Sequence, residues 1–195
     1  MFVNLERYRL FIAVEIENPE CLESIIEIQS LIPKNITKQP TKDNMHITLK
    51  FLGDTDSNLI DNITEVLDAI AFEPFNLQFG NVGAFPNNNR PRVLWIGISE
   101  GSEYLKSLSL QINNNLEELG ISSEKRQFNA HLTLARIKQP IKNPQKEFFQ
   151  FFKTKIESYE LSKFSSKVTK ILLKKSILTP KGSIYENLHV TKDKL

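Results

Sequence analysis

The chain has 195 residues, of which 40% are hydrophobic and 25% are charged, a composition typical of a soluble globular protein that excludes a fibre or a disordered tail. Because Cys21 is the only cysteine, a disulfide scaffold is excluded, and the lone thiol favours a reducing compartment, so we expect a cytoplasmic protein. The net charge of +2 predicts weak attraction of the whole molecule to a polyanion, and neither a secretion signal nor a stretch of roughly 20 apolar residues is present to indicate membrane association.

Two strand–helix units are predicted in the first part of the chain. The apolar, β-branched run 9–17 predicts a strand, and the apolar spacing between Leu22 and Ile32 predicts the helix after it. A second strand is predicted over residues 45–53, where Gly53 ends it, and a second helix over residues 57–71. The first part of the chain therefore alternates strand and helix.

The same order returns in the second part of the chain. The predicted elements are strands at 75–79 and 93–98, a helix at 102–119, a strand at 128–136, a short helix at 144–152, and strands through 168–178 and 184–189. No low-complexity linker separates the two parts. We therefore predict the α+β class, with two similar lobes forming a single bilobal domain over residues 1–195.

A short motif, His-x-Thr-Leu, occurs once in each half. It stands at residues 46–49 and again at 131–134, so two of the three histidines carry it, and coincidence has a chance of only about 1 in 10,000. Side chains alternate along a strand, which predicts that each histidine shares a face with the threonine two positions later. If the halves are related by approximate two-fold symmetry, the two polar faces line one cleft.

Two imidazoles that face each other suit paired proton transfer. With an ordinary pKa near 6.5, one ring, of His46 or His131, can accept a proton from water while the other donates one to a leaving oxygen. The hydroxyls of Thr48 and Thr133 suit non-bridging phosphate oxygens. The pattern therefore predicts metal-free phosphodiester cleavage. Satisfied polar patches on half-buried strands are the structural alternative, and a metal site would require further ligands at working spacing.

The motifs and their order give the chain a resemblance to the two-histidine phosphoesterase superfamily, and most closely to its RNA 2',3'-cyclic phosphodiesterase branch, long called 2'-5' RNA ligases. The resemblance covers nearly the whole length. The matching segments are residues 9–13, 44–53, 83–86, 91–97 and 131–136, with Ser176, Leu178, Pro180, Gly182 and Tyr185 near the end.

This resemblance implies a bilobal fold of antiparallel sheets flanked by helices, with the active site in the central cleft. It implies hydrolysis of a terminal 2',3'-cyclic phosphate to a 2'-phosphomonoester, without metal or other cofactor. His46 would be the proton donor and His131 the proton acceptor, while Thr48, Thr133 and Arg136 would bind the phosphate. The implied partners are RNA with a 2',3'-cyclic phosphate end or small cyclic nucleotides, bound by a monomer. ATP-independent 2'-5' ligation at the same site and a non-catalytic RNA-binding module are the alternatives.

Strict alternation conflicts with two of the candidate substrate-binding residues. It places Arg136 on the core side of its strand, so the strand must end or bulge near Ala135 if Arg136 is to reach the phosphate. It also places Phe51, which could stack on a base, in the core.

Two basic candidates remain open. Family members tend to carry Arg-Pro before the second histidine, where this chain has Asn129-Ala130, and Arg126 could substitute for that arginine. The lysines of residues 163–175 could follow an RNA backbone, or they could protect the edge of a sheet.

Overall fold

Strands and helices follow one another almost in the predicted order. The computed structural model describes residues 6–123, 127–138, 145–157, 159–180 and 182–192. The first half comprises β1 (Arg7–Glu15), α1 (Pro19–Ser30), the short β2 (Thr37–Lys38), β3 (His46–Asp56) and α2 (Ile60–Ala69). The second half comprises β4 (Phe75–Phe85), β5 (Val93–Glu100), α3 (Ser102–Glu117), β6 (His131–Ile137), α4 (Gln145–Glu157), β7 (Ser165–Val168), β8 (Leu172–Thr179) and β9 (Gly182–Val190).

The described strands form one antiparallel sheet in the order β7-β4-β5-β6-β3-β1-β8-β9, with β2 paired to β6. The strands that carry the two motifs, β3 and β6, are neighbours at its centre. Each is flanked by the strand of its own half, β1 beside β3 and β5 beside β6. Further out, β4 pairs with β5 of its own half, whereas β8 of the second half pairs with β1 of the first. The predicted α+β class with two similar halves is confirmed.

The apolar faces of the helices and one face of the sheet form the hydrophobic core together. At the start of α1 the side chain of Asn18 accepts hydrogen bonds from the amides of Glu20 and Cys21, and Pro19 occupies the first turn, where its missing N–H costs nothing. Burial raises the pKa of the Cys21 thiol to about 11, which makes it an inert core residue. None of the described helices is both long and apolar enough to cross a membrane.

Several predicted boundaries are wrong, since β4 continues beyond Phe79 to Phe85 and α4 continues beyond Phe152 to Glu157. The second strand does not end at Gly53: the glycine adopts a φ of 70° within β3, which continues to Asp56. The following helix is shorter than predicted, since its first turn is a 3₁₀ turn at Ser57–Leu59. The single strand predicted at 168–178 is two strands, because Val168 pairs with Phe75 of β4 while Leu172 pairs with Ala13 of β1. The chain thus crosses between the halves at residues 169–171.

Candidate active site

The two motifs meet where the central strands pair. Ile47 of β3 lies opposite Leu132 of β6 in antiparallel register. The adjoining positions therefore set His46 opposite Thr133 and Thr48 opposite His131. Because Ile47 and Leu132 are fully buried in the core, alternation sends all four polar side chains to the other face of the sheet. Both histidines and both threonines are gathered on one surface.

The backbone orients both imidazoles in the same way. The Nδ1 atom of His46 lies 2.8 Å from the carbonyl oxygen of Asn44, and that of His131 lies 2.7 Å from the carbonyl oxygen of Asn129. A carbonyl can only accept, so Nδ1 carries the proton in each ring and Nε2 is left to gain or lose one. An asparagine two positions before the histidine is common to both motifs, a shared feature that the sequence analysis missed.

Aromatic rings enclose His46. Its ring centroid lies 4.8 Å from that of Phe11 and 5.1 Å from that of Tyr185. Burial and, to a smaller extent, the positive charges of Lys174 and Arg136 lower the pKa of His46 from 6.5 to about 4, although the hydrogen bond to Asn44 opposes this change. His46 is therefore neutral at pH 7 in the free protein.

His131 has a matching aromatic environment in the other half. Its ring centroid lies 4.8 Å from that of Phe85 and 6.1 Å from that of Trp95. Burial is again the main cause that lowers the pKa of His131 below 6.5, the hydrogen bond to Asn129 opposes it, and the charge of Arg136 adds to it. Two weakly basic imidazoles therefore share the site.

A buried ion pair adjoins His46. Lys174 of β8 is only 2% exposed, and its ammonium group contacts the carboxylate of Glu15 and, at 2.6 Å, the side-chain oxygen of Asn187. Glu15 is the β1 partner of His46. The sequence analysis grouped Lys174 with surface lysines, because nothing in the sequence distinguishes a buried lysine from an exposed one.

One extra residue follows the motif threonine in each central strand. Opposite β1, Ala13 pairs with Thr48 and Ile12 pairs with Lys50, so Leu49 has no partner. Opposite β5, Trp95 pairs with Thr133 and Leu94 pairs with Ala135, so Leu134 has none. Each irregularity is a β-bulge, and each reverses the alternation of side chains beyond it.

The bulges determine on which face of the sheet Arg136 and Phe51 lie. Arg136 lies on the face of His131 and Thr133, as the predicted bulge near Ala135 requires, and that bulge is confirmed. The placement of Phe51 in the core is wrong. Lys50 takes the core position with 0% exposure, and the ring of Phe51 is 59% exposed on the face of Thr48. Phe51 and Arg136 are each five positions after a motif histidine.

Each bulge leaves a backbone carbonyl group without a partner in the neighbouring strand, and a buried side chain from a helix donates a hydrogen bond to it. The hydroxyl group of Ser109 in α3 donates a hydrogen bond to the carbonyl oxygen of Leu49 at 2.8 Å. Gln29 of α1 donates from Nε2 to the carbonyl oxygen of Leu134 at 3.0 Å, and also to that of Pro40 at 3.0 Å. A buried carbonyl without a donor would be costly, so these bonds stabilise the bulges. Each helix serves the motif strand of the opposite half.

Different chemistry occupies the two ends of the site. β3 and β6 are antiparallel, so Phe51 and Arg136 lie on opposite sides of the four motif residues. The ring of Phe51 lies 6.3 Å from that of Phe11. Arg136 pairs with Lys38 of β2. One end of the site is therefore aromatic, and the other is cationic.

The outer part of the β8–β9 hairpin forms a wall of the site. β8 pairs with β1 only from Leu172 to Lys175, and beyond this segment Tyr185 contacts His46. Asn44 donates from Nδ2 to the carbonyl oxygen of Ser183 at 3.2 Å. Gly182 packs so closely on Lys38 that a Cβ atom there would lie 2.8 Å from the lysine Cε. The tip of the hairpin therefore lies beside the cationic end.

His189 and the lysines of residues 163–175 make contacts of their own. The third histidine, His189, is bonded through Nε2 to Asp68 of α2 at 2.9 Å. Arg126 lies outside the described residues. Four of the five lysines at 163–175 contact carboxylates, the pairs being Lys163 with Glu160, Lys170 with Glu17, Lys174 with Glu15 and Lys175 with Glu186. No group of three or more histidines, cysteines or carboxylates in the described part of the chain is placed to hold a metal ion.

Two repeats that each supply one histidine to a shared cleft define a two-histidine phosphoesterase. A model of the family described as LigT like phosphoesterase matches the chain twice, over residues 14–95 and 96–185. The chain belongs to this family, and each of the two matches contains one His-x-Thr-Leu motif.

Named relatives and solved structures agree with this assignment. The chain is 38% identical to an RNA 2',3'-cyclic phosphodiesterase of Archaeoglobus fulgidus, over 93% of this chain and 98% of the relative. It is 36% identical to a protein of the same name from Methanocaldococcus jannaschii, over 91% and 96%. The crystal structure of TT0787 from Thermus thermophilus superposes with a TM-score of 0.78 and 25% identity, over 95% of this chain and 98% of that one.

The bulge contacts predict a specific stability effect. Replacing Ser109 with Ala leaves the buried carbonyl of Leu49 without its hydroxyl donor, so we expect a loss of about 1–3 kcal/mol in the free energy of unfolding. Ser107→Ala, on the exposed face of the same helix, is the matched control and should change stability by no more than about 0.5 kcal/mol. Urea denaturation of both variants measures the difference, and equal stabilities would contradict this role of Ser109.

Proposed function

We propose that this protein hydrolyses 2',3'-cyclic phosphodiester ends of RNA or nucleotides to 2'-phosphomonoesters. The observation that carries the proposal is the matched pair of imidazoles, each oriented through Nδ1 by a backbone carbonyl and each beside a threonine of the opposite strand. The relatives that share the family and most of the chain length carry the name of this activity.

Acid–base catalysis by the two rings follows from this arrangement. His131 accepts a proton from water at Nε2 while the water oxygen bonds to phosphorus, and His46 donates a proton from Nε2 to the departing 3' oxygen as its bond to phosphorus breaks. The entering and leaving oxygens lie in line on opposite sides of phosphorus. After one turnover His131 is protonated and His46 is neutral, and exchange with solvent restores the starting state.

The negative charge of the substrate favours the protonated form of the donor, His46. Both imidazoles are neutral at pH 7 in the free protein, whereas the reaction requires a protonated donor. The cyclic phosphate brings a negative charge to the rings, and this raises the pKa of His46. The hydroxyl groups of Thr48 and Thr133 donate hydrogen bonds to the non-bridging oxygens, and Arg136 stabilises the negative charge that develops on these oxygens.

The aromatic end of the site suits the base of the terminal nucleotide. The ring of Phe51 is exposed and lies on the face of the motif residues, so a base can stack on it.

We further propose that the protein acts as a cytoplasmic monomer whose single bilobal domain spans residues 1–195. Hydrolysis is preferred over ligation and over simple RNA binding, because the relatives are named as phosphodiesterases.

Substitution of either motif histidine tests the mechanism. Given an oligoribonucleotide that ends in a 2',3'-cyclic phosphate, His46→Ala and His131→Ala should each lower kcat by about 10²- to 10⁴-fold, because each removes one proton-transfer group. His189→Ala removes the histidine that binds Asp68 and should leave kcat unchanged. Product formation is followed by chromatography, with and without EDTA.

Several outcomes of this assay would contradict the mechanism. Turnover that survives both substitutions excludes paired acid–base catalysis, and abolition of wild-type activity by EDTA indicates a metal site. Binding without turnover favours an RNA-binding module, and a high yield of 2'-5'-joined product favours ligation.

The assignment of donor and acceptor predicts a pH dependence. Since His46 must be protonated and its pKa in the free enzyme is about 4, kcat/KM should fall about tenfold per pH unit as the pH rises above 6.5. Bound phosphate raises that pKa, so the corresponding fall in kcat should occur at higher pH. The alkaline limb should be lost in the residual activity of His46→Ala and kept in that of His131→Ala. The opposite result would make His131 the donor.

Substitution of Phe51 tests the base-stacking role. Phe51→Ala should raise KM for a 2',3'-cyclic mononucleotide by about 5- to 150-fold, since stacking of one base contributes about 1–3 kcal/mol, with a smaller effect on kcat. Tyr104→Ala removes another exposed aromatic ring, on α3, and is the matched control. An unchanged KM in Phe51→Ala would place the base elsewhere.

A further inference from the structure

A groove beside the site is lined by lysines. It has a volume of about 730 Å³ and lies among the end of α1, the 34–42 segment, the end of β6 and the tip of the β8–β9 hairpin. Its lysines are Lys34, Lys38, Lys42 and Lys138, and no carboxylate belongs to its described lining. A volume in the range of about 300–1,000 Å³ suits a small ligand or a short segment of a longer one.

Most of the positive charge in this groove is not neutralised. Lys42 forms an ion pair with Glu23 of α1. Lys138 donates instead to the backbone carbonyl oxygen of Lys34 at 3.0 Å, and within the described chain neither Lys34, Lys38 nor Lys138 has a carboxylate at ion-pair distance. The lysines of residues 163–175 differ in this respect, since four of them contact carboxylates. The groove therefore carries positive charge that is available to a polyanion.

Lys38 belongs to the lining of the groove and connects the groove to the cationic end of the site. Lys38 of β2 lies directly opposite Arg136 of β6, and opposed residues of an antiparallel pair project to the same face. That face carries His131 and Thr133, so the row from His131 through Arg136 to Lys38 leads from the reacting phosphorus into the groove.

The floor of the groove is fixed by hydrogen bonds. Gln29, which is buried, donates to the carbonyl oxygens of Pro40 and Leu134, and Gln39 donates from Nε2 to the carbonyl oxygen of Ile32 at 2.8 Å. The 34–42 segment is thereby held against α1 and β6 before any ligand binds, which reduces the entropy lost on binding.

We propose that this groove binds the phosphodiester backbone upstream of the cyclic end, so that the protein prefers oligoribonucleotides to 2',3'-cyclic mononucleotides. The inference rests on the proposed function, because the cyclic end must occupy the histidine site. The terminal base lies toward Phe51, and the preceding nucleotides leave past Arg136. Lysine ammonium groups bind phosphates as point charges, so this preference depends on chain length and ionic strength and not on sequence.

The test compares two substrates and two double variants. Wild type, Lys34→Gln/Lys138→Gln and the control Lys106→Gln/Lys167→Gln are assayed on a short oligoribonucleotide with a 2',3'-cyclic phosphate and on the corresponding cyclic mononucleotide. Both variants remove two positive charges from exposed lysines, but Lys106 and Lys167 lie on α3 and β7, outside the groove.

The groove variant should lower kcat/KM for the oligonucleotide about 10-fold at low salt and leave that for the mononucleotide unchanged. It should also reduce the slope of log kcat/KM against log salt by about 1.4, since each phosphate contact with a single strand contributes about 0.7. Equal losses in both double variants, or no preference of the wild type for the oligonucleotide, would overturn the proposal.

Binding separates this inference from the proposed function. Fluorescence anisotropy with a labelled oligonucleotide that ends in a 2'-phosphate measures affinity without turnover. Weaker binding by the groove variant than by the control supports the groove even if no cyclic end is hydrolysed, an outcome that would overturn only the proposed function. Equal affinities of the two variants would overturn the groove proposal even if hydrolysis is observed.

Discussion

The period of two along a β-strand is the constraint on which this site depends. A strand can present the histidine and the threonine of each motif on one face, but the residue five positions after the histidine then belongs to the core. One inserted residue directly after each motif threonine, Leu49 in β3 and Leu134 in β6, reverses this parity and brings Phe51 and Arg136 to the face of the motif histidines. The insertion releases a backbone carbonyl in each strand, and a buried polar side chain from a helix satisfies it. The chemistry of the site therefore depends on hydrogen bonds made on the opposite side of the sheet.

The two halves contribute the same framework to the site, but the two ends of the site differ. Both halves provide the same backbone contact to Nδ1, an aromatic enclosure of the imidazole and a bulge at the same position. The two ends of the cleft differ, because Phe51 and Arg136 occupy corresponding positions. A symmetric site would accept its substrate in two orientations. Under the proposed function, the aromatic ring at one end and the guanidinium group at the other would define one orientation, as a reaction with distinct entering and leaving oxygens requires.

Local pattern in the sequence predicted the α+β class, most elements and the convergence of the motifs, because periodicity and a repeated motif are properties of short segments. The bulge near Ala135 was predicted only because Arg136 required it. Its counterpart at Leu49 was missed, since no such requirement applied to Phe51, and strict alternation placed that ring wrongly in the core. The burial of Lys174 and the lysine groove depend on contacts between distant segments, which periodicity does not describe.

The exchange of strands between the halves has a consequence for biosynthesis. The outer edge of β1 is covered by β8, and the contact between Glu15 and Lys174 joins residues 159 positions apart in the chain. A ribosome must add the 159 residues from Glu15 to Lys174 before that contact can form, and closing so long a loop is slow relative to local pairing. Until then β1 exposes unpaired backbone groups to other nascent chains. The pairing of β8 therefore both contributes to the site and ends the interval in which this edge of β1 is open to aggregation.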